Sequence, residues 1–173
     1  DGYYYAERTQ TAANGIMMPV ELVCYDIERN QLSTVGPLSG FTSHINDMTY
    51  DYSTGTMYAI STYENAYSNL FTIDLGNAKS KVVASLDRRF FTLACTYDGQ
   101  LYGISFDGEF CKIDKNTGAV EVIGATGWHP NYYQSMEFDH TDGTLYWAAN
   151  LKEGVGETDC IASVDLATGA ATS

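Results

Sequence analysis

Short apolar runs alternate with turn residues along the whole of this chain of 173 residues. The runs are rich in β-branched and aromatic residues, and no segment keeps the 3.6-residue apolar period of an amphipathic helix. Most of them end at Asp, Gly or Asn, which favour turns because Asp and Asn side chains bond nearby backbone and Gly reaches positive φ. The pattern predicts an all-β chain of short antiparallel strands.

One pattern, glycine followed three residues later by tyrosine, recurs at a fixed interval. It begins at Gly55, Gly99 and Gly143, which are 44 residues apart in both steps. Between these copies lies a second pattern, an apolar strand ending in Asp with a turn residue four positions later, as in 114–118 and 165–169. A repeat of about 40–50 residues is typical of β-propeller blades. We therefore predict a β-propeller of about four blades with four strands each.

The four predicted blades occupy approximately residues 1–40, 41–87, 88–126 and 127–173. The first contains only the second to fourth strands of a blade, and the last ends in a very short outer strand. Because proteins normally cover open sheet edges, we expect the chain to be part of a larger propeller or to be completed by a partner. Equivalent second-strand tyrosines, predicted to pack between blades together with Trp147, are Tyr58, Tyr102 and Tyr146.

Two of the repeat units carry a family resemblance. The segments Phe110–Gly124 and Cys160–Thr172 resemble the strand–Asp-x-x-Thr-Gly–strand repeats of secreted bacterial propellers of the YVTN and quinoprotein-like kind. The resemblance extends over most of the chain from Leu22 onward. It implies a propeller fold and an extracellular, cell-surface or periplasmic setting, and it implies no particular activity.

The net charge of the chain excludes some classes of binding partner. The net charge of −13 argues against nucleic acid and against an anionic membrane surface, both of which require clustered Lys and Arg. No apolar run approaches the length of about 20 residues that spans a bilayer, so no membrane insertion is expected.

The predicted strands hold the four cysteines too far apart for disulfides, and we expect buried free thiols at Cys24, Cys95, Cys111 and Cys160.

In a propeller, the loops that precede the inner strands and those that join the second and third strands gather around one mouth of the central channel, where binding residues usually lie. Three loops of the first kind are rich in polar and aromatic residues: 41–47, 87–90 and 127–133. They supply the candidate ligand-binding residues His44, Asp47, Arg88, Arg89, Trp128, His129, Tyr132 and Tyr133. His140 falls on the opposite face, where we expect it only to be solvated.

Loops of the second kind are long in three blades, at 9–20, 62–69 and 150–159, and the middle one contains Tyr63 and Tyr67. Aromatic planes beside Asn, Asp and His suit a carbohydrate or a peptide turn, since they offer stacking surface with a few fixed hydrogen bonds. Two alternatives stay open at this stage. Trp128 either binds ligand or plugs the channel, and Arg88 and Arg89 either bind an anion or pair with the acidic surface.

The sequence favours a non-enzymatic binding or adhesion module, exported by a bacterium, that recognises a glycan or protein ligand. The alternative is a propeller enzyme, a lactonase-like hydrolase or a quinone-dependent oxidoreductase, with its site at the channel mouth; this rests on fold analogy. We expect no cofactor and no metal ligands. Calcium binding at the acidic turn 139–143 stays an alternative, although the distal glutamate of an EF-hand is missing.

Overall fold

The computed structural model describes residues 2–11, 13, 15, 17–41, 43–62, 67–152 and 158–173. Within these residues the chain forms fifteen β-strands in four antiparallel sheets and contains no helix. Each sheet is built from consecutive strands, as expected for hairpins joined by short Asp- and Gly-containing turns. The prediction of an all-β propeller with four blades is confirmed, and the first blade has three strands, as expected.

The strands follow one another in chain order within every blade. The first blade contains β1 (Tyr3–Thr11), β2 (Met17–Asp26) and β3 (Gln31–Pro37). The second contains β4 (Ile45–Asp51), β5 (Thr56–Ser61), β6 (Asn69–Ile73) and β7 (Ser80–Ser85). The third contains β8 (Ala94–Cys95), β9 (Leu101–Ile104), β10 (Glu109–Ile113) and β11 (Val120–Ala125). The fourth contains β12 (Ser135–Phe138), β13 (Leu145–Ala149), β14 (Cys160–Val164) and β15 (Ala171–Thr172).

The 44-residue repeat is reproduced in the strand register. Tyr58 lies opposite Thr72, two residues before the aspartate that ends its hairpin partner. The equivalent pairs in the next two blades are Tyr102 with Lys112 and Tyr146 with Ser163. The predicted equivalence of these three tyrosines is therefore confirmed.

A left-handed turn residue precedes the last strand of every blade. The positions are Asn30, Ala78, Gly118 and Gly169, with φ of 50°, 59°, 73° and 80°. Glycine suits this conformation because it has no Cβ, whereas alanine adopts it rarely. The repeat thus preserves the backbone conformation even where the residue has changed.

Three apolar clusters lie between successive blades, and they contain most of the buried side chains. Tyr58 is buried between the second and third blades, and Tyr102 is half-buried against the fourth. Trp147 is fully buried, as predicted. The packing prediction is wrong for Tyr146, which is 44% exposed because no further blade among the described residues covers that face.

The inner strands of the second, third and fourth blades, β4, β8 and β12, contact one another around the propeller axis.

The loop predicted at residues 9–20 is largely strand instead. Residues 9–11 pair with residues 17–19 and prolong the first hairpin past a bulge between Arg8 and Thr9.

All four cysteines are free, as predicted. Cys95 and Cys111 are buried, but Cys24 and Cys160 are only partly buried. The expectation of four buried thiols is therefore correct for two of them.

Candidate functional site

A cavity of about 680 Å³, the mouth pocket, opens where the inner strands of the second to fourth blades begin. Its volume lies in the range of pockets that hold small ligands. The inner-strand loops converge here because the strands that follow them converge on the axis. The described lining consists of Ser43, His44, Ile45, Asn46, Thr62, Phe91, Phe106, Tyr132, Tyr133, Gln134, Ser135 and Ala148.

Aromatic rings from two blades form one wall of the mouth pocket. The rings of Phe91 and Phe106 stack with centroids 3.7 Å apart and planes 4° apart. The guanidinium carbon of Arg89 lies 4.4 Å from the Phe106 centroid, so the two partners must occupy opposite faces of that ring. Phe91 is itself buried, so the accessible aromatic faces are those of Tyr132 and Tyr133, which are 66% and 79% exposed.

The side-chain oxygen of Asn46 is the unusual polar atom of the mouth pocket. It is buried and has no hydrogen-bond partner among the described residues. A buried acceptor left without a donor costs about 1–3 kcal/mol. Because the atom has almost no accessible surface, a ligand in the mouth pocket reaches it only if the Asn46 side chain turns towards the pocket, and a donor would then recover that free energy.

Gln134 is held in one orientation beside the mouth pocket. Its side-chain oxygen accepts a hydrogen bond of 2.7 Å from the indole nitrogen of the buried Trp147. Its amide nitrogen donates to the backbone oxygen of Asn131. These two bonds fix the 131–134 segment, which carries Tyr132 and Tyr133, to the core of the fourth blade.

His44 presents a neutral imidazole to the mouth pocket at neutral pH, because burial lowers its pKa. Nδ1 lies 3.3 Å from Oγ of Ser43. The hydroxyl of Ser61 donates to the backbone oxygen of His44 at 2.9 Å and fixes the segment that carries the ring. This arrangement supplies one hydrogen-bonding group without a formal charge.

The carboxyl group of Asp47 lies next to the mouth pocket and links three blades. One oxygen accepts the backbone N–H groups of Leu93 at 3.0 Å and Met136 at 3.2 Å. The other accepts the N–H of Met48 at 3.0 Å and the hydroxyl of Ser135 at 3.2 Å. Burial raises the pKa of this carboxyl to about 8, against the effect of its hydrogen bonds. Its two oxygens accept four hydrogen bonds from the second, third and fourth blades, so Asp47 holds these blades together.

The structure brings three of the predicted residues, His44, Tyr132 and Tyr133, into the pocket lining. Asp47 and Arg89 contact lining residues, Ser135 and Phe106 respectively.

The remaining three predicted residues are not among the lining residues. Arg88 pairs with Asp87 at 2.9 Å and with Glu109 at 2.5 Å. Trp128 is half-buried, with its ring 5.5 Å from that of Trp147 in the core of the fourth blade. His129 is exposed, and its backbone oxygen accepts the N–H of Lys152 at 3.0 Å.

Several lining residues carried no separate signal in the sequence. Asn46 and Gln134 lie in or next to loops in which the histidines and tyrosines provide the sequence signal. Phe91 follows the Arg88–Arg89 pair, and Phe106 lies in a tight turn after β9 that the repeat pattern does not mark. Of the longer loops, Tyr63 and residues 153–157 lie outside the described residues.

The opposite end of the propeller corrects one expectation. His140 is not merely solvated, because its ring contacts those of Tyr52, Tyr97 and Phe138. In the acidic turn that contains it, a carboxylate oxygen of Asp139 accepts both the N–H and the hydroxyl of Thr141.

Across the described part of the chain, no group of three or more His, Cys, Asp or Glu side chains could hold a metal ion. Nor do these residues contain a helix long and apolar enough to cross a membrane.

Comparisons with known proteins show the fold. No protein-family model and no curated protein matches the chain. Over 99% of the chain the structure is similar to a chain in a nidogen/laminin complex, with a TM-score of 0.67, 11% identity and 60% coverage of that chain. It is similar over 98% of its length to TolB from Acinetobacter baumannii, with a TM-score of 0.57, 17% identity and 40% coverage of that chain.

A third similar structure is an auxiliary nutrient binding protein from Bacteroides thetaiotaomicron. The TM-score is 0.57 at 14% identity, over 96% of this chain and 40% of that one. The chain thus spans 40–60% of the length of these three structures. At such identities the similarity establishes a β-propeller architecture that proteins of bacteria also adopt.

Proposed function

We propose that this chain is a non-enzymatic binding or adhesion module that recognises a glycan through the mouth pocket, with a peptide turn as the second ligand class. One observation carries the proposal. Asn46, whose side-chain oxygen is buried without a hydrogen-bond partner among the described residues, lines the same 680 Å³ pocket as the exposed rings of Tyr132 and Tyr133. A sugar complements both features, because it has hydroxyl donors and an apolar C–H face.

The charge of the mouth pocket favours a neutral ligand. Its described lining contains no Asp, Glu, Lys or Arg, and the imidazole of His44 is uncharged at neutral pH. An ionised ligand would lose hydration there without gaining a counter-charge. A neutral oligosaccharide would instead exchange water for hydrogen bonds to Asn46 and His44 and for stacking on tyrosine.

The similar structures support binding at the level of the fold alone. One is a nutrient binding protein, and another belongs to a complex with laminin. Function resides in sites rather than folds, so these similarities supply a precedent and no ligand. An extracytoplasmic setting, in the periplasm, on the cell surface or outside the cell, accords with the YVTN-like repeats and with a glycan ligand. The proposal requires no cofactor, and completion of the propeller by further blades or another chain is compatible with it.

A glycan array followed by calorimetric titration tests the proposal. We expect neutral oligosaccharides to be retained, and Asn46→Ala to weaken the best of them about tenfold through loss of one buried hydrogen bond. The matched control is Asn116→Ala, which removes an exposed asparagine side chain from a turn after β10. Absence of binding to any glycan, or equal affinity for wild type and Asn46→Ala, would refute the glycan assignment. If turn-forming peptides bind instead, the ligand of the mouth pocket is a peptide turn.

A further inference from the structure

Three aromatic residues meet at the end of the propeller opposite the mouth pocket. They are Tyr52, Tyr97 and His140, which follow the inner strands β4, β8 and β12, and we call them the lower aromatic platform. The two tyrosine rings stack with centroids 5.8 Å apart and planes 18° apart. The imidazole of His140 meets Tyr52 edge-on at 5.1 Å and Tyr97 at 6.0 Å. The second, third and fourth blades each contribute one ring.

The platform exposes much of its aromatic surface. Tyr97 is 68% exposed and Tyr52 is 43% exposed. Tyr50 meets Tyr52 at 5.0 Å, in a T-shaped arrangement, and extends the aromatic surface towards the first blade. There a cavity of about 140 Å³ is lined by Tyr3, Tyr5, Tyr50, Tyr52, Met57 and Leu75. Closing the channel does not require rings that face outward, so the exposed faces are available to a partner.

Negative charge surrounds these rings. Asp98 follows Tyr97 in the chain and Asp142 lies two residues after His140; neither has an ion-pair partner among the described residues. Lys115, a cation at this end of the propeller, is bound to the buried Asp51 at 2.6 Å.

A further carboxylate lies beside the platform. Glu137 accepts the hydroxyl of Thr49 at 3.1 Å. The pKa of Tyr52 is raised mainly by burial and secondly by the charge of this carboxylate. The rings of the platform therefore lie within a negatively charged surface.

We propose that the lower aromatic platform binds a partner protein through exposed arginine or lysine side chains. The negative faces of Tyr52 and Tyr97 attract a cation, and the carboxylates of Asp98 and Asp142 supply complementary charge at the rim. Arginine fits best because its planar guanidinium stacks on an aromatic ring while its N–H groups reach carboxylates. The mouth pocket, which has no charged side chain in its described lining, and this platform thus recognise ligands of different chemistry at the two ends of one axis.

The experiment uses an acetylated and amidated peptide of alternating arginine and glycine, titrated at low and at physiological salt. We expect the wild type to bind it, with weaker binding as salt rises, and Tyr97→Ala to lose affinity about tenfold. Tyr97→Phe should retain most of the affinity because it keeps the aromatic face. The matched control is Tyr132→Ala, which removes a ring of nearly equal exposure, 66%, from the mouth pocket.

Three results would overturn the assignment. The first is no detectable binding of the arginine peptide. The second is equal affinity of the wild type and Tyr97→Ala, or equal losses in Tyr97→Ala and Tyr132→Ala. The third is equal binding of a glutamate–glycine peptide, which would make the platform a general apolar contact. Because both tyrosines are largely exposed, none of these variants is expected to unfold the protein, and each is checked by its thermal midpoint.

Discussion

A side-chain oxygen of Asp47, at the start of β4, accepts the backbone N–H of Met136, which lies 89 residues further along the chain, at 3.2 Å. The same oxygen accepts the N–H of Leu93 in the third blade at 3.0 Å. One side chain thus joins the inner strands of three blades at the edge of the mouth pocket. Glu7 has a related role in the first blade, where it accepts the N–H of Ile45 at 3.0 Å.

This arrangement predicts that stability falls as pH rises from 5 to 8. Burial raises the pKa of Asp47 to about 8 and that of Glu7 to about 7, so the folded chain binds protons that the unfolded chain releases near pH 4. The stabilisation is complete below the unfolded pKa values and is lost as pH rises through the folded ones. Asp51 acts in the opposite sense below pH 4. Burial opposes its ionisation, but hydrogen bonds from Lys115, Ser53 and Thr54 hold its pKa well below the usual range.

Urea denaturation at pH 5 and pH 8 measures this dependence. Asp47→Asn should reduce the difference between the two free energies of unfolding, since the variant has no titrating group at this position. It should also cost about 1 kcal/mol at pH 5, because the amide nitrogen cannot accept the N–H of Met48. The control, Asp98→Asn, removes an exposed carboxylate and should leave the pH dependence nearly unchanged. Stability that rises between pH 5 and pH 8, or an unchanged dependence in Asp47→Asn, would contradict the assignment.

Trp128 should contribute to stability rather than to binding. Its ring packs against Trp147 within the core of the fourth blade, so Trp128→Ala should lower the free energy of unfolding by about 3 kcal/mol. For a chain of this size that corresponds to a decrease of about 6–12 °C in the thermal midpoint. Tyr133→Ala, at a position 79% exposed, should change the midpoint little. Equal midpoints for Trp128→Ala and wild type would return Trp128 to the list of candidate binding residues.

Gly118 should tolerate alanine poorly, for two separable reasons. Its φ is +73°, and an added Cβ would lie 2.4 Å from Cβ of Ala84. Gly127 has φ of +82° with no atom near an added Cβ, so Gly127→Ala reports backbone strain alone, about 1 kcal/mol. Chemical denaturation should show a clearly larger loss for Gly118→Ala, and similar losses in the two variants would show that the neighbouring blade yields freely.

The cysteines should differ in reactivity. Burial raises the pKa of Cys95 to about 12 and that of Cys111 to about 11, which suppresses their thiolates at neutral pH. Cys24 and Cys160 are partly exposed and should react first with a thiol reagent under native conditions. The unfolded, unreduced chain should yield four thiols. Fast native labelling of Cys95 or Cys111, or fewer than four thiols after unfolding, would disagree with the blade packing.

The repeat could be predicted from the sequence because its determinants are local. The Asp-Gly turn at 98–99 and the left-handed position four residues after Asp114 depend on residues within one hairpin, so their spacing reveals the blades directly. Tyr146 shows the limit of this reasoning, since its pattern is that of Tyr58 but its burial depends on whether another blade covers it.

The mouth pocket could be predicted only as a face and not as a set of contacts. The repeat assigns the loops that contain His44 and Tyr132 to this face because inner strands converge on an axis. By contrast, the stacking of Phe106 between Phe91 and Arg89 depends on side-chain conformations within the third blade. The surroundings of the unpartnered oxygen of Asn46 depend on how neighbouring blades are rotated against each other. Sequence spacing within one blade carries no information on that rotation.

The most direct test of the central claim compares affinities for the best glycan from the array. Wild type, Tyr132→Ala and Tyr97→Ala are titrated by calorimetry; the two variants remove rings that are 66% and 68% exposed at opposite ends of the propeller. If the mouth pocket binds the glycan, Tyr132→Ala loses about tenfold in affinity through lost stacking, and Tyr97→Ala binds as the wild type does. Equal affinity of Tyr132→Ala and the wild type, or a loss confined to Tyr97→Ala, would contradict the account.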